Sequence, residues 1–176
     1  CYYIKMYLFK EIILWSDSRR NSGWSIFMSS EVIHSGRAAM SAVTVTVYGK
    51  FAVLAPQILF SVINKMVVSR WNTTFDYCEV NPLLGFYLPA RQDYYSLRYS
   101  PDSEVVIVNE RELGVISTLI FLFVVINSEL LGINKNQFIQ EMFELTVLQG
   151  KYDRLLSYAR AQLSTEAFEF CQSYIK

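Results

Sequence analysis

The longest uncharged apolar segment of the chain, Leu113 to Ile126, constrains its fold more than any other feature. A helix of these 14 residues would be about 21 Å long, whereas a bilayer-spanning helix needs roughly 20 apolar residues. The segment is therefore predicted to be too short to cross a membrane. Because a helix that is apolar on every side must be surrounded by protein, we expect it to be the central helix of a compact domain.

Residues that flank this segment are typical of helix ends. Asn109 and Glu112 have the spacing of a capping box, and Gly132 suits a left-handed helix end. Asn134 and Gln137 repeat the capping spacing and predict a second helix. Apolar residues of this helix fall on one face, which should be core or a partner surface: Phe138, Ile139, Met142, Phe143 and Leu145.

The composition indicates a globular protein that binds other proteins. The chain has 176 residues, 52% of them hydrophobic and 15% aromatic, which suits one domain or two small units sharing a core. Lys plus Arg equals Asp plus Glu, at 16 each, so nucleic-acid binding would need a local basic patch. Three distant cysteines suit neither a disulfide framework nor a zinc motif, and their odd number favours the cytosol or nucleus.

The first 50 residues are the hardest part of the chain to interpret. The apolar N-terminal stretch lacks the uninterrupted core of a signal peptide, because charged residues break it: Lys5, Lys10 and Glu11. A polar, patternless stretch follows. We hypothesise that the sequence is an internal fragment, or an over-extended translation whose start is Met28 or Met40. Residues 28–49 combine features of a short helix with a β-branched alternation and are left unassigned.

The remaining pattern has the element order of a winged helix. A helical stripe begins after Phe51, with Pro56 in a first turn that tolerates it. Asn81 and Pro82 then break the pattern. Residues 85–100 resemble a β-hairpin whose strands join through residues 89–93, and residues 105–108 predict a short strand. Beyond the apolar helix pair, residues 146–158 predict a short helix and the edge of a second wing. Thr165 to Ile175 predicts a closing helix, with four residues along one side: Phe168, Cys171, Gln172 and Ile175.

The residues for catalysis are largely missing. The single histidine, His34, lies in a polar stretch and is expected to be exposed, and no phosphate-binding glycine motif occurs. Cys78 has no cation nearby in the sequence and is interpreted as a packed thiol. Two carboxylate pairs are interpreted as helix starts and solvated faces: Glu110 with Glu112, and Glu141 with Glu144. We predict no enzymatic activity, no cofactor, no metal and no small-molecule substrate.

Four segments, in order, resemble the MAGE homology domain. They are QILFSVINKM, LLGFYLPARQDYYSLRYS, ELGVISTLIFLFVVINSELLGINKNQFIQEMFEL and YARAQLSTEAFEFCQSYI, and they cover about Phe51 to Ile175. The usual tryptophan of the second-helix pattern is absent between Phe138 and Phe143. The resemblance implies a mainly α fold with small β-hairpins (α+β), built from tandem winged-helix units. An uncertain segment at residues 1–50 would precede a first unit at 51–104 and a shortened second unit at 105–176.

The resemblance implies a binding function. MAGE proteins are adaptors of RING-type ubiquitin ligases, and their ancestral member lies beside a RING subunit and a kleisin subunit in a nuclear complex. That complex maintains chromosomes and repairs DNA, and the member has some affinity for DNA. On this chain, Phe138, Met142 and Phe143 would be the candidate partner-binding residues, although each also fits plain core packing.

Two other interpretations stay open. One is a DNA-binding winged helix, whose phosphate contacts would be Lys65, Arg70, Arg91 and Arg98. The other is an all-α bundle of the viral apoptosis-inhibitor kind, with a peptide in a surface groove. Residues 85–100 discriminate between the folds, because they should be helical only in the bundle.

Overall fold

The computed structural model of the chain describes residues 31–69, 72–132 and 138–175, without the side chains of residues 129–142. Within these ranges the helices are α1 (Arg37–Tyr48), a 3₁₀ helix (Gly49–Val53), α2 (Ala55–Met66), α3 (Glu110–Gly132), α4 (Phe138–Gln162) and α5 (Thr165–Tyr174). The strands are β1 (Val32–His34), β2 (Phe75–Asn81), β3 (Leu84–Pro89), β4 (Tyr94–Leu97) and β5 (Val106–Asn109).

The predicted α+β class is confirmed. The described part of the chain is 60% helical, with five α-helices and two small antiparallel sheets. One sheet has the order β1-β2-β3 and the other pairs β4 with β5. Residues 84–89 and 94–97 are strands, so the all-α bundle is the wrong fold.

The strands of the predicted hairpin exist, but their pairing was wrong. β3 pairs with β2, which places Phe86 opposite Cys78, whereas β4 pairs with β5. The break at Asn81 and Pro82 is the actual hairpin turn, because the Asn81 Oδ1 atom accepts a hydrogen bond from the Leu83 N–H at 2.9 Å. An Asn that bonds its own backbone two residues on is a common turn former. Residues 89–93 therefore connect two sheets instead of closing one.

Helix α3 is the centre of the core, as predicted. Every residue from Leu113 to Leu122 is buried. Its capping box is also confirmed: the Asn109 N–H donates to the Glu112 carboxylate at 3.1 Å, and the Glu112 N–H donates to Asn109 Oδ1 at 2.9 Å. Both bonds satisfy donors that a helix start leaves unpaired.

The length argument against a membrane span does not hold for the whole helix. α3 has 23 residues, and its stretch Glu110–Ser128 is long and apolar enough to cross a bilayer by length and composition alone. The bent pair Arg37–Val53 and Ala55–Met66, at 76°, passes the same test when taken as one span. Burial argues for a core helix instead, because 67% of the tested window of α3 lies inside the protein.

The predicted second wing is wrong. Residues 146–158 belong to α4, a continuous helix of 25 residues. Its buried stripe runs through that region at helical spacing, so packing on α3 extends the helix past Gly150: Leu145, Leu148, Leu155 and Ala159. Asn134 and Gln137, the predicted cap of this helix, lie outside the described residues.

The flanking helices agree with the sequence pattern in part. α2 buries Leu59, Ile63 and Met66 and has its proline in the first turn, as predicted. The closing helix α5 is confirmed, and the Ser164 hydroxyl caps it by accepting from the Ala167 N–H at 3.4 Å. Its predicted face is partly wrong, because Gln172 is exposed and Phe170 is buried.

The unassigned region after residue 30 forms β1 and α1. Tyr48 at the end of α1 stacks on Tyr87, with ring centroids 5.8 Å apart, and meets Tyr77 and Phe121 edge-on. Burial raises the pKa of Tyr77 to about 12. This aromatic cluster joins α1 to the three-stranded sheet and to α3. The domain division between residues 104 and 105 stays a prediction, although β4 and β5 pair across it.

Helix α3 approaches the edge of β3 unusually closely. The Tyr87 N–H donates to Thr118 Oγ1 at 3.0 Å, and the Thr118 hydroxyl donates to the Gly114 carbonyl at 2.8 Å. A Cβ atom at Gly114 would collide with the Tyr87 carbonyl oxygen and lie 3.2 Å from the Phe86 ring. Glycine and threonine therefore have defined roles inside an apolar helix: one makes room, and the other satisfies a buried strand amide.

Candidate interaction surface

An exposed aromatic side chain stands out on α4. Phe143 is 66% exposed, and Val147, one turn later, is 43% exposed. Residues four apart share a helix face, and this face lies away from the buried stripe that begins with Leu145 and Leu148. Single exposed apolar residues are common on protein surfaces, but adjacent ones form a patch that can bind a partner.

An ion pair lies beside these two side chains. Lys50 Nζ lies 2.8 Å from Glu144 Oε2, which ties the 3₁₀ helix to α4 beside Phe143. We call Phe143 and Val147 the Phe143 face. The Lys50–Glu144 ion pair lies beside this apolar surface. On the 3₁₀ helix, Val53 is also exposed, at 75%.

Of the three predicted partner-binding residues, the structure describes the side chain of Phe143 alone. Phe143 is on the surface, where a partner could contact it. Phe138 and Met142 belong to α4, but the structure does not describe their side chains. The sequence pattern assigned all three residues to one apolar face together with Leu145. That grouping was wrong for Phe143, because Leu145 is buried on the other side.

Three of the predicted DNA-binding residues lie near the end of α2. The Arg98 N–H donates to the Met66 carbonyl at 2.8 Å, so Arg98 lies close to the end of α2, where Lys65 is exposed. Arg91 lines a cavity with Val67, the residue after Met66. Arg70 lies outside the described residues. The fold thus places three of the four predicted residues near the end of α2, from two separate parts of the sequence.

The electrostatics of this basic group are mixed. The Arg91 guanidinium lies 3.2 Å from the Asp93 carboxylate, which offsets its charge. The Arg98 Nε atom is buried and has no hydrogen-bond partner among the described residues. The adjacent cavity, of about 240 Å³, is lined mostly by polar side chains, and the exposed ring of Tyr94 borders it. Cations at a helix C-terminus also have a structural explanation, since they stabilise the helix dipole.

Sequence reasoning missed a polar cluster around Arg111. Its guanidinium binds both carboxylate oxygens of Glu31, donates to the Tyr158 hydroxyl at 2.6 Å and lies over the Phe86 ring, 5.4 Å from its centroid. The hydrogen bonds to Glu31 raise the pKa of Arg111 above its usual range. The cluster joins β1, α3 and α4, whose members are up to 127 residues apart in the sequence, so no local pattern predicts it.

Two expectations about reactive side chains need correction. His34 is half-buried instead of exposed, and its Nε2 lies 2.8 Å from the Glu79 carboxylate. Cys78 does have a cation nearby, because Arg111 lies beside it, yet burial dominates and raises the pKa of its thiol. Cys78 is therefore a packed thiol, as interpreted, but for a reason the sequence did not give.

One carboxylate of each predicted pair has a structural partner in the described part of the chain. Glu112 completes the capping box and also accepts a hydrogen bond from the Ser164 N–H at 3.0 Å. Glu144 pairs with Lys50, so it is not simply a solvated carboxylate. Across residues 31–69, 72–132 and 138–175, no three His, Cys, Asp or Glu side chains come together in a way that would hold a metal ion.

Comparison with models of known protein families finds no match to this chain, and comparison with curated protein sequences finds no significant match.

Proposed function

We propose that the protein is a non-catalytic adaptor that binds a RING-type ubiquitin ligase subunit through the Phe143 face. The observation that carries this proposal is the exposure of Phe143 and Val147 on a long helix whose opposite side is anchored in the core. Exposed aromatic residues on rigid elements are typical binding hot spots. The sequence resemblance to MAGE adaptors supplies the class of partner.

The proposed setting is a nuclear chromosome-maintenance and DNA-repair complex that also contains a kleisin subunit. In this proposal the first winged-helix unit, residues 51–104, contains α2, the β2–β3 hairpin and β4. The second, shortened unit, residues 105–176, contains β5, α3, α4 and α5. The order of a helix followed by a hairpin supports the first unit, and the continuous course of α4 means that the second would function without the wing predicted at residues 146–158.

Binding assays with purified RING and kleisin subunits test the proposal. Phe143→Ser should weaken RING binding by roughly tenfold or more, as loss of a central aromatic contact does. Ile107→Ser is a matched control, because Ile107 is also 66% exposed. It lies on β5, next to the N-terminal end of α3, whereas α4 follows the C-terminal end of α3. Absence of binding to either subunit, or equal losses in both variants, would overturn the proposal.

A second candidate function is weak DNA binding by Lys65, Arg91 and Arg98. The position of these residues near the end of α2 supports it, and the Arg91–Asp93 pair argues for low affinity. Binding through phosphate contacts should fall steeply with salt. Replacing both Arg91 and Arg98 with Glu should abolish it, and a salt-independent affinity would contradict this function.

A further inference from the structure

Strand β1 buries little apolar surface in the core. It is three residues long, and Val32 and Ile33 are 47% and 55% exposed. Its register places Val32, Ile33 and His34 opposite Glu79, Cys78 and Tyr77 of β2. Because apolar burial is the main stabilising contribution in folding, a strand with exposed apolar side chains depends on its backbone pairing and on its polar ends.

Both polar ends of β1 are only partly buried. At one end Glu31 binds Arg111, and these side chains are 35% and 37% exposed. At the other end His34 pairs with Glu79. Partly exposed polar contacts of this kind contribute little to stability, because water competes for the same groups. Gly36 then joins β1 to α1 with a positive φ of 84°. Nothing lies within 4 Å of the place where its Cβ would be, so packing does not hold this connection in place.

The surface beneath β1 is suited to another strand. If β1 left, the backbone N–H and C=O groups of β2 would form an open edge, and the Cys78 side chain, now 0% exposed, would be uncovered. An open sheet edge accepts an extended peptide through main-chain hydrogen bonds. Arg111 would remain at one end of this edge, where Tyr158 on α4 holds its guanidinium.

We propose that β1 is a releasable strand, and that its departure opens the β2 edge to an extended segment of a partner protein. The partner segment carries a carboxylate at the position of Glu31, followed by two β-branched residues. The carboxylate is required because Arg111, partly buried against Phe86, would otherwise lose its charged partner. The β-branched residues match the positions of Val32 and Ile33 in the present pairing.

Thiol labelling of the full chain tests the release of β1. Cys78 and Cys171 are both buried free cysteines, but Cys171 lies in α5, away from β1, so it reports on other openings of the protein. Labelling with iodoacetamide, followed by peptide mass spectrometry, should show Cys78 reacting faster than Cys171. Glu31→Arg should raise the labelling rate of Cys78 by roughly fivefold or more. Loss of a partly exposed ion pair alone accounts for about two- to fivefold, and the new arginine would also repel Arg111.

The control for this experiment is Glu104→Arg, which makes the same charge change at an exposed site in the loop before β5. It should leave both thiols unchanged. A Glu31→Arg variant that merely unfolds would accelerate Cys78 and Cys171 together. That result, or an unchanged Cys78 rate, would overturn the release of β1.

Peptide binding tests which segment pairs with the open edge of β2. A fluorescent peptide with the sequence of residues 29–36 should bind the Glu31→Arg variant at least about tenfold more tightly than the same peptide with lysine in place of its glutamate, because only the former can pair with Arg111. Equal affinity of the two peptides would contradict the required carboxylate. A strand-exchanged dimer of the variant that excludes the peptide would also contradict the proposal, since a second copy would then occupy the edge.

Discussion

The first turns of α3 hold two strands in opposite ways. β3 is fixed by buried contacts: the backbone passes close over Gly114, and Thr118 satisfies the Tyr87 amide away from water. β1 is fixed by the partly exposed Arg111 pairing with Glu31. Buried polar groups cost much free energy when left unpaired, whereas partly exposed ion pairs exchange readily with water. One helix can therefore carry a permanent strand and a releasable one within eight residues.

The largest expected effect comes from removing the anchor common to both strands. Leu122 is 1% exposed in the middle of α3. Leu122→Ala should lower the free energy of unfolding by roughly 2–5 kcal/mol, through lost burial and the cavity that remains. Urea denaturation followed by circular dichroism measures this, and an unchanged unfolding midpoint would show that α3 is not the core of the protein.

A smaller loss is expected when the close contact with β3 is broken. Gly114→Ala should destabilise the protein by roughly 1–3 kcal/mol, because the new methyl group would force the helix away from the Tyr87 carbonyl. Gly150→Ala on α4 is a matched control, since its Cβ would meet only Arg154 at 3.9 Å. That control should stabilise the helix by roughly 0.5–1 kcal/mol. If both variants behaved alike in thermal unfolding, the close contact would be refuted.

The hydrogen bond to β3 can be removed without adding volume. Thr118→Val should cost about 1–3 kcal/mol, because it leaves the buried Tyr87 amide without its acceptor. Thr46→Val on the exposed surface of α1 also removes a hydroxyl that bonds its own helix, and should change stability by less than about 0.5 kcal/mol. Chemical denaturation of the two variants compares a buried hydroxyl with an exposed one.

The smallest expected effect lies on β1. Glu31→Gln should lower global stability by about 0–1 kcal/mol, the range of partly exposed ion pairs. It should nevertheless raise the labelling rate of Cys78 while leaving that of Cys171 unchanged, because only the local opening of β1 is affected. A loss as large as that of Gly114→Ala would show that β1 and β3 are held alike.

Local patterns predicted the elements but not their partners. The apolar run at residues 113–126 and the pair Asn109 and Glu112 correctly indicated a capped core helix, because burial and capping are encoded within a few residues. The run is not buried on every side as predicted, since Val124 is 37% exposed. The pairing of β3 with β2 was missed because the sequence offered two breaks, at Asn81 and at residues 89–93, and only long-range packing selects between them.

The candidate surface was predicted only in part for a similar reason. Phe143 and Leu145 were predicted on one apolar face, but residues two apart point to nearly opposite sides of an α-helix, and only Leu145 is buried. Which of the two sides packs on α3 depends on contacts that are distant in sequence. The Arg111 cluster joins residues that are distant in sequence, so charge patterning within one helix gives no sign of it. The continuation of α4 beyond Leu145 was likewise decided by its packing on α3 and not by local propensity.

The most direct test of the contrast between the two strands is amide hydrogen exchange of the unmodified protein, followed residue by residue by NMR. We expect Tyr87 to exchange only when the whole protein unfolds, whereas the amides of β1 that bond to β2 should exchange through a local opening of much lower free energy. Equal protection of Tyr87 and β1 would contradict this expectation, because β1 would then be as permanent a part of the sheet as β3.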